Sequence, residues 1–152
     1  MTDIAPEARK EIADELSRLL ADTYTLYLTT HGYHWNVTGP MFRSLHLMFE
    51  EEYTELWAAV DIIAERIRAL DHLAPGSYAE MSRLTSLPDE EGAPEAMDMV
   101  RRLAKGHEAV AAIARKVVAA AEKAGDVATA DLATQRIDVH EKTAWMLRST
   151  AA

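Results

Sequence analysis

Histidines and carboxylates at helical spacing mark the part of the sequence that could do chemistry. His46 is followed four residues later by Glu50, and Asp61 is followed at the same spacing by Glu65. At about 100° per residue, these four side chains fall within one arc of about 100° on a helix. Imidazole and carboxylate together suit a cation such as Fe(II) and leave coordination positions open for an oxidant. The pattern predicts a metal site, to which His34, placed in the turn before this helix, could add a ligand.

Height along the helix decides how such a site can be built. Glu50 and Asp61 are separated by about 16 Å of helix rise, so no single ion bridges them within one chain. If two copies of the helix run antiparallel across a two-fold axis, the His46 end of one copy meets the Asp61 end of the other. An intrachain di-iron bundle would use Glu-x-x-His, and no Glu stands three residues before any His here. The spacing therefore predicts a site shared between subunits, present twice in each dimer.

The elements that must position these residues follow from hydrophobic periodicity. Apolar residues recur at helical spacing at about 6–31, 41–70 and 94–125, and from Asp126 towards the end, while strand-type alternation is nearly absent. Gly125 suits a helix C-cap and Asp126 an N-cap. The connection 71–93 is long and broken by Pro and Gly, with room for a short helix in SYAEMSRLT. We predict an all-α, ferritin-like four-helix bundle with a long crossover containing a short helix between the second and third helices.

Length and composition restrict the class of protein. The 152 residues are expected to form a single domain, 1–152, and the absence of Cys leaves only nitrogen and oxygen ligands for a metal. No leader or membrane span is recognisable, which predicts a cytoplasmic protein without a membrane partner. The net charge of −9 attracts cations and repels nucleic acid at long range.

A family resemblance joins these observations. The stretch HWNVTGPMFRSLHLMFEEEY, followed by DIIAERI, resembles the Dps family of miniferritins, and the likeness extends over nearly the whole chain to HEKTAWMLRS. It implies a hollow homo-dodecamer that oxidises Fe(II) with hydrogen peroxide or O2 at inter-subunit ferroxidase centres, stores ferric mineral and protects the cell from oxidative stress. Other divalent ions such as Zn²⁺ would find the same ligands.

Carried over position by position, the resemblance assigns ligands to both sides of a two-fold interface. One subunit would supply His34, His46 and Glu50, and its neighbour would supply Asp61 and Glu65. Position 50 is commonly Asp in this family, so Glu50 predicts altered metal affinity or geometry.

Further acidic residues could bind iron outside the oxidation site, and for some of them a structural role is the alternative. Glu51 and Glu55, again four apart, would nucleate mineral inside the cavity or form a solvated acidic face. The resemblance places Glu122, Asp126 and Asp131 around a three-fold pore that attracts Fe(II). For Asp126, helix capping is the alternative and is compatible with a pore role.

Other residues near the stripes are given structural roles. His31 is expected at the surface or behind the metal ligands, with direct ligation as the less favoured alternative. Trp35 is expected to pack at the subunit interface, although it could also intercept oxidising equivalents. His107 and His140 are expected to be hydrogen-bonded inside the bundle or at an interface.

Two other functions compete with iron storage. A DNA-compacting protein would need a basic tail, whereas the segment before the first helical stripe is rich in acidic residues. An inert assembly would tolerate replacement of all five ligand positions. We therefore predict a ferroxidase and regard DNA as an unlikely partner.

Overall fold

The computed structural model describes residues 2–152 and is built from helices. The described residues form α1 (Pro6–Asn36), α2 (Phe42–Ala69), α3 (Tyr78–Leu84), α4 (Ala96–Ala124) and α5 (Val127–Ala151), and they contain no strand. Four helices are long and α3 is a short helix inside the crossover. The all-α bundle with a short helix between its second and third long helices is therefore confirmed. None of the described helices is long and apolar enough to cross a membrane.

Side-chain contacts fix the directions of the helices. Glu11 pairs with Lys123, while Leu26 further along α1 lies against Gly106 earlier in α4, so α1 and α4 are antiparallel. A Cβ on Gly106 would come within 2.7 Å of the Leu26 side chain, which explains a glycine inside this helix. The α1–α2 connection is short, and therefore the crossover must return the chain so that α4 runs parallel to α2.

One hydrophobic core fills the space between the four long helices. Each helix contributes a stripe at helical spacing, as the periodicity predicts. Its largest fully buried side chains include Ile12, Leu16, Leu19, Tyr33, Leu45, Phe49, Leu56, Ile63, Ile67 and Met99. The core holds α1 and α2 in fixed register, and this register sets the positions of the histidines described below.

The long crossover is anchored by a buried carboxylate. Asp22 is 0% exposed and accepts hydrogen bonds from the Thr85 hydroxyl, the Ser86 hydroxyl and the Ser86 backbone amide, each at 2.7 Å. Three donors compensate the cost of burying this charge. The end of α3 is thereby fastened to the middle of α1.

Two helix boundaries differ from the sequence prediction. α1 continues to Asn36, so His34 lies in its last turn and not in the turn before α2. Gly32 lowers the helix propensity there, but Thr30 and Tyr33 are buried on the helix and packing outweighs propensity. α4 begins at Ala96, two residues after Pro94.

The junction between α4 and α5 matches its prediction. Gly125 adopts a left-handed conformation, φ 71°, as the C-cap of α4. Asp126 is the N-cap of α5, because its side chain accepts a hydrogen bond from the Thr129 backbone amide.

Candidate metal site

Two predicted ligands, His34 and His46, are hydrogen-bonded to each other's backbone across the α1–α2 turn, and this pair is called the histidine brace below. Nδ1 of His34 donates to the His46 carbonyl at 2.6 Å, and Nδ1 of His46 donates to the His34 carbonyl at 2.7 Å. The rings are stacked, with centroids 3.8 Å apart. A carbonyl oxygen only accepts, so each Nδ1 carries a hydrogen and Nε2 is the ring nitrogen left to bind a metal. Both imidazoles are therefore fixed in the tautomer that binds a metal through Nε2.

The turn between the helices makes this brace possible. The backbone amide of Val37 donates to the Tyr33 carbonyl at 2.9 Å, and the Val37 side chain is buried. Gly39 then adopts φ 109°, a conformation that side chains rarely permit. The chain can therefore reverse within residues 37–41 and set the first turn of α2 beside the last turn of α1.

The predicted carboxylate ligands lie on α2 and are open to solvent. Glu50 is exposed one turn after His46, and Asp61 and Glu65 are exposed nearer the end of the helix. Within residues 2–152, none of these three carboxylates has an ion pair or a hydrogen bond to another side chain. They carry charge that a cation could neutralise.

One chain does not close the site by itself. The described part of the chain brings no group of three or more His, Asp or Glu side chains into an arrangement that could hold a metal ion. α2 is one continuous helix from Phe42 to Ala69, so the rise of about 16 Å between Glu50 and Asp61 applies. The structure brings His34 and His46 together and leaves Asp61 and Glu65 apart from them.

The predicted nucleation residues are in different environments. Glu51 is exposed, whereas Glu55 accepts two hydrogen bonds from Arg136, at 2.5 and 2.9 Å. Arg136 is almost fully buried and Glu55 only half, so the pair reaches from the bundle interior to its surface. Mineral nucleation by Glu51 and Glu55 stays a prediction.

The three predicted pore residues differ in their exposure to solvent. Glu122 and Asp131 are exposed, whereas Asp126 is only 3% exposed. Besides capping α5, the Asp126 carboxylate accepts a hydrogen bond from Arg66 at 2.9 Å. Capping of α5 by Asp126 is confirmed. The pore stays a prediction and depends on the two exposed carboxylates.

An aromatic cluster beside the histidine brace was not recognised from the sequence. The Tyr27 hydroxyl and Nδ1 of His31 are hydrogen-bonded at 2.9 Å, and the His31 ring stacks on Tyr53 with centroids 4.0 Å apart. Trp35 approaches His31 at 4.0 Å, and Tyr53 lies 5.1 Å from His34. Burial and then His34 lower the pKa of His31, which favours its neutral form. The spacing of four from Tyr27 to His31 and again to Trp35 is the signal that could have revealed this face.

The bundle interior contains a second unforeseen feature, the carboxyl group of Glu52. Glu52 is 8% exposed, and neither side-chain oxygen has a hydrogen-bond partner in the described residues. Burial, and secondarily Glu51, raise the pKa of Glu52 to about 8. Its position is readable in the sequence, since it comes three residues after Phe49 and four before Leu56 on the buried stripe of α2.

His107 and His140 are hydrogen-bonded inside the bundle, as predicted, and each is the partner of the other. Nδ1 of His107 and Nδ1 of His140 are 2.9 Å apart, and Nε2 of His140 accepts a hydrogen bond from Arg136 at 3.2 Å. His140 must then hold its hydrogen on Nδ1 and donate it to His107. Burial lowers the pKa of His107 to about 3, with a smaller contribution from Arg136, and lowers that of His140 well below its usual range. Both rings are neutral.

The fold and the histidine and carboxylate face define a class of protein. A helical bundle with one long crossover and metal ligands on its helices is the ferritin-like architecture, and the model of the family described as "Ferritin-like domain" matches residues 13–152. The chain belongs to this family and, within it, to the Dps-type miniferritins, as its relatives establish.

Relatives and a solved structure align over most of their length. The sequence is 34% identical over 140 residues to "DNA protection during starvation protein 2" of Bacillus anthracis, covering 92% of this chain and 96% of that protein. It is 39% identical over 148 residues to an "Uncharacterized low temperature-induced protein" of Nostoc, covering 96% and 83%. The crystal structure of a Dps protein from Vibrio cholerae, described as a member of the ferritin-like diiron-carboxylate proteins, superimposes with a TM-score of 0.95 at 29% identity, covering 98% of this chain and 94% of that one.

Proposed function

We propose that the protein is a ferroxidase that oxidises Fe(II) at sites shared between two subunits and stores the ferric product inside a homo-dodecameric cage. The observation that carries this proposal is the His34–His46 brace, which leaves two Nε2 atoms available to a metal at the α1–α2 turn, one turn of α2 before the exposed Glu50. Membership of the Dps-type miniferritins supports the choice of iron as substrate.

A second copy of the chain would complete the site. Antiparallel packing of two α2 helices brings Asp61 and Glu65 of one copy to the histidine brace of the other. Helices α1 and α2 also expose large apolar side chains, including Trp35 at 60%, Trp57 at 58% and Ile62 at 56%. Exposed apolar area of this kind favours association with another protein surface.

The ligand set explains how oxidation would be promoted. Fe(II) binds as a substrate to the imidazole nitrogens and carboxylates, and the negative carboxylates stabilise the higher charge of Fe(III). With hydrogen peroxide as oxidant, two Fe(II) give two Fe(III), and the peroxide takes up two protons to become two waters. O2 is the alternative oxidant, and Zn²⁺ would compete for the same nitrogen and oxygen ligands.

A carboxylate variant tests the proposal. Glu50→Ala is expected to reduce the initial rate of Fe(II) oxidation by peroxide by about 10- to 100-fold, since a charged ligand is lost. Stopped-flow absorbance of the ferric product measures the rate, and size-exclusion chromatography checks assembly and the co-elution of iron. Glu7→Gln, which alters an exposed carboxylate at the start of α1, is the control and should match the wild type. Equal oxidation rates in assembled wild type, Glu50→Ala and Glu7→Gln would contradict the assignment of Glu50 as an iron ligand.

The acidic charge argues against direct DNA binding. With a net charge of −9 per chain, an assembly of many subunits repels a polyanion. We expect no retardation of linear DNA by the purified protein in a gel-shift experiment at low salt. A retarded band that disappears as the salt concentration is raised would show that the protein binds DNA.

A further inference from the structure

Phe42 and His34 enclose the imidazole of His46 from its two faces. Phe42 is the first residue of α2, and its ring stacks on His46 with centroids 5.0 Å apart and an interplanar angle of 23°. His34 stacks on His46 with centroids 3.8 Å apart and an interplanar angle of 12°. Within residues 2–152 the rings of Phe42 and His34 make no contact with each other, so they lie on opposite faces of the imidazole. His46 is therefore the middle ring of a stack of three.

Phe42 contributes to this stack and not to the hydrophobic core. Its side chain is 43% exposed, and it lies outside the cluster of side chains that fills the bundle. Its backbone amide donates to the Gly39 carbonyl at 3.0 Å, which fixes the start of α2 at the turn. Residues four apart on a helix are neighbours on its surface, so this anchor also places the Phe42 ring over His46.

The stack supplies what the hydrogen bond of His46 leaves undetermined. The bond from Nδ1 to the His34 carbonyl selects the edge of the ring, but the ring can still tilt about it. Parallel rings on both faces fix the plane, and edge and plane together give Nε2 a single direction. His34 is only 7% exposed and has Tyr53 beside it, whereas His46 is partly exposed near the start of α2. His46 is therefore the ligand that needs this support more.

We propose that Phe42 is a positioning residue for the metal site and raises its affinity for Fe(II) by holding the His46 ring in the metal-binding tautomer. The inference rests on the proposed ferroxidase function. A neutral histidine side chain in water favours the tautomer with hydrogen on Nε2, which cannot bind a metal through that atom. The hydrogen bond to the His34 carbonyl reverses this preference, and Phe42 keeps the ring where that bond can form. Phenylalanine suits this role because its ring stacks without offering iron an oxygen or nitrogen ligand.

The tautomer of His46 in the metal-free protein tests the positioning directly. NMR of protein with isotope-labelled histidine distinguishes hydrogen on Nδ1 from hydrogen on Nε2, and the spectrum of His46→Ala identifies the His46 signals. Wild type should show hydrogen on Nδ1 alone. Phe42→Leu, which is apolar but lacks a flat ring, should show a measurable fraction with hydrogen on Nε2, whereas Phe42→Tyr keeps the ring and should match wild type. An unchanged tautomer in Phe42→Leu would overturn the proposal, as would the same change in Phe42→Tyr.

Metal binding tests the consequence of this positioning. Titration calorimetry with Zn²⁺, which does not depend on oxidation, should give about 2- to 10-fold weaker binding for Phe42→Leu, as expected for loss of one stacked aromatic pair. Leu47→Ala alters an apolar side chain of the same helix with a similar exposure, 44%, and should keep the wild-type affinity. Size-exclusion chromatography checks the assembly of both variants. Equal Zn²⁺ affinity in wild type and Phe42→Leu would contradict the proposal.

Oxidation kinetics separate this role from the proposed function itself. In Phe42→Leu the initial rate of Fe(II) oxidation by peroxide should fall severalfold at low iron and approach the wild-type rate at saturating iron, because binding is weakened while every ligand remains. A lower rate at saturating iron with an unchanged half-saturation concentration would reject positioning. If assembled wild type fails to oxidise Fe(II) at any iron concentration, the ferroxidase proposal fails, while the tautomer and Zn²⁺ results still decide the role of Phe42.

Discussion

A mixture of two impaired variants is expected to regain ferroxidase activity. His46→Ala and Asp61→Asn each remove a predicted ligand, and each alone should lose about 10- to 100-fold in the rate of Fe(II) oxidation. In a shared site, His46 and Asp61 come from different chains. When equal amounts of the two variants are dissociated and reassembled together, about one quarter of the centres should receive His46 from one variant and Asp61 from the other. The initial rate of the mixture should therefore approach a quarter of the wild-type rate.

The same mixture separates a shared site from an intrachain site. If all ligands came from one chain, every centre in the mixture would still lack His46 or Asp61, and no activity would return. Two control mixtures, wild type with each variant, show that reassembly itself leaves centres intact. A reassembled mixture no faster than its components would contradict the two-fold site, while the Glu50→Ala result would still bear on whether iron is oxidised at all.

The sequence predicted the helices well because their patterns are local. The apolar stripes, Gly125 and Asp126 each act within a few residues, and the structure reproduces all of them. The sequence prediction ended α1 too early. Tyr33 is buried by packing against α2, and this tertiary contact leaves no signal in the residues around Tyr33.

For the candidate metal site, the sequence predicted which side chains share one helix but not the contacts that hold them. The spacing of His46, Glu50, Asp61 and Glu65 indicates one helix face, and the structure confirms that all four lie on α2. The reciprocal bonds of His34 and His46 involve backbone carbonyls, and no residue type signals such a contact. The same limit applies to the Tyr27–His31 bond, since a tyrosine four residues before a histidine is most often a packing pair.

Glu52 is a charged residue type that is buried in the core, against the usual expectation for glutamate. In the run FEEEY, three glutamates look alike, yet the helix turns Glu50 and Glu51 outward and Glu52 into the core. Contacts between α2 and α5 place it more closely. Arg136 meets Glu55, and Arg66 meets the N-cap of α5, so the two helices are antiparallel and Glu52 lies level with His140. The interior at this level thus combines neutral histidines with a carboxyl group that has no hydrogen-bond partner within residues 2–152.

Replacing Glu52 is expected to stabilise the metal-free protein at neutral and mildly alkaline pH. Its folded pKa, about 8, lies above the ordinary glutamate pKa of 4.5, so the folded state binds the proton more tightly than the unfolded state. The contribution of Glu52 to stability is then fully present below pH 4.5 and is lost as the pH rises towards 8. The loss amounts to at most about 5 kcal/mol. Glu52→Leu should therefore raise the free energy of unfolding most at pH 8 and least near pH 4.5.

Two variants separate the charge of Glu52 from its packing. Glu52→Gln cannot ionise, so it should abolish this part of the pH dependence while still burying a polar group, and Glu52→Leu should be more stable than Glu52→Gln at every pH. His107 and His140 act in the opposite direction, because their lowered pKa values remove stability as the pH falls below 6.5. They are present in all three proteins and cancel in the difference. Urea unfolding at fixed protein concentration from pH 5 to 8 measures the effect, and parallel curves for wild type and Glu52→Gln would mean that the buried carboxylate is ionised and has found a partner.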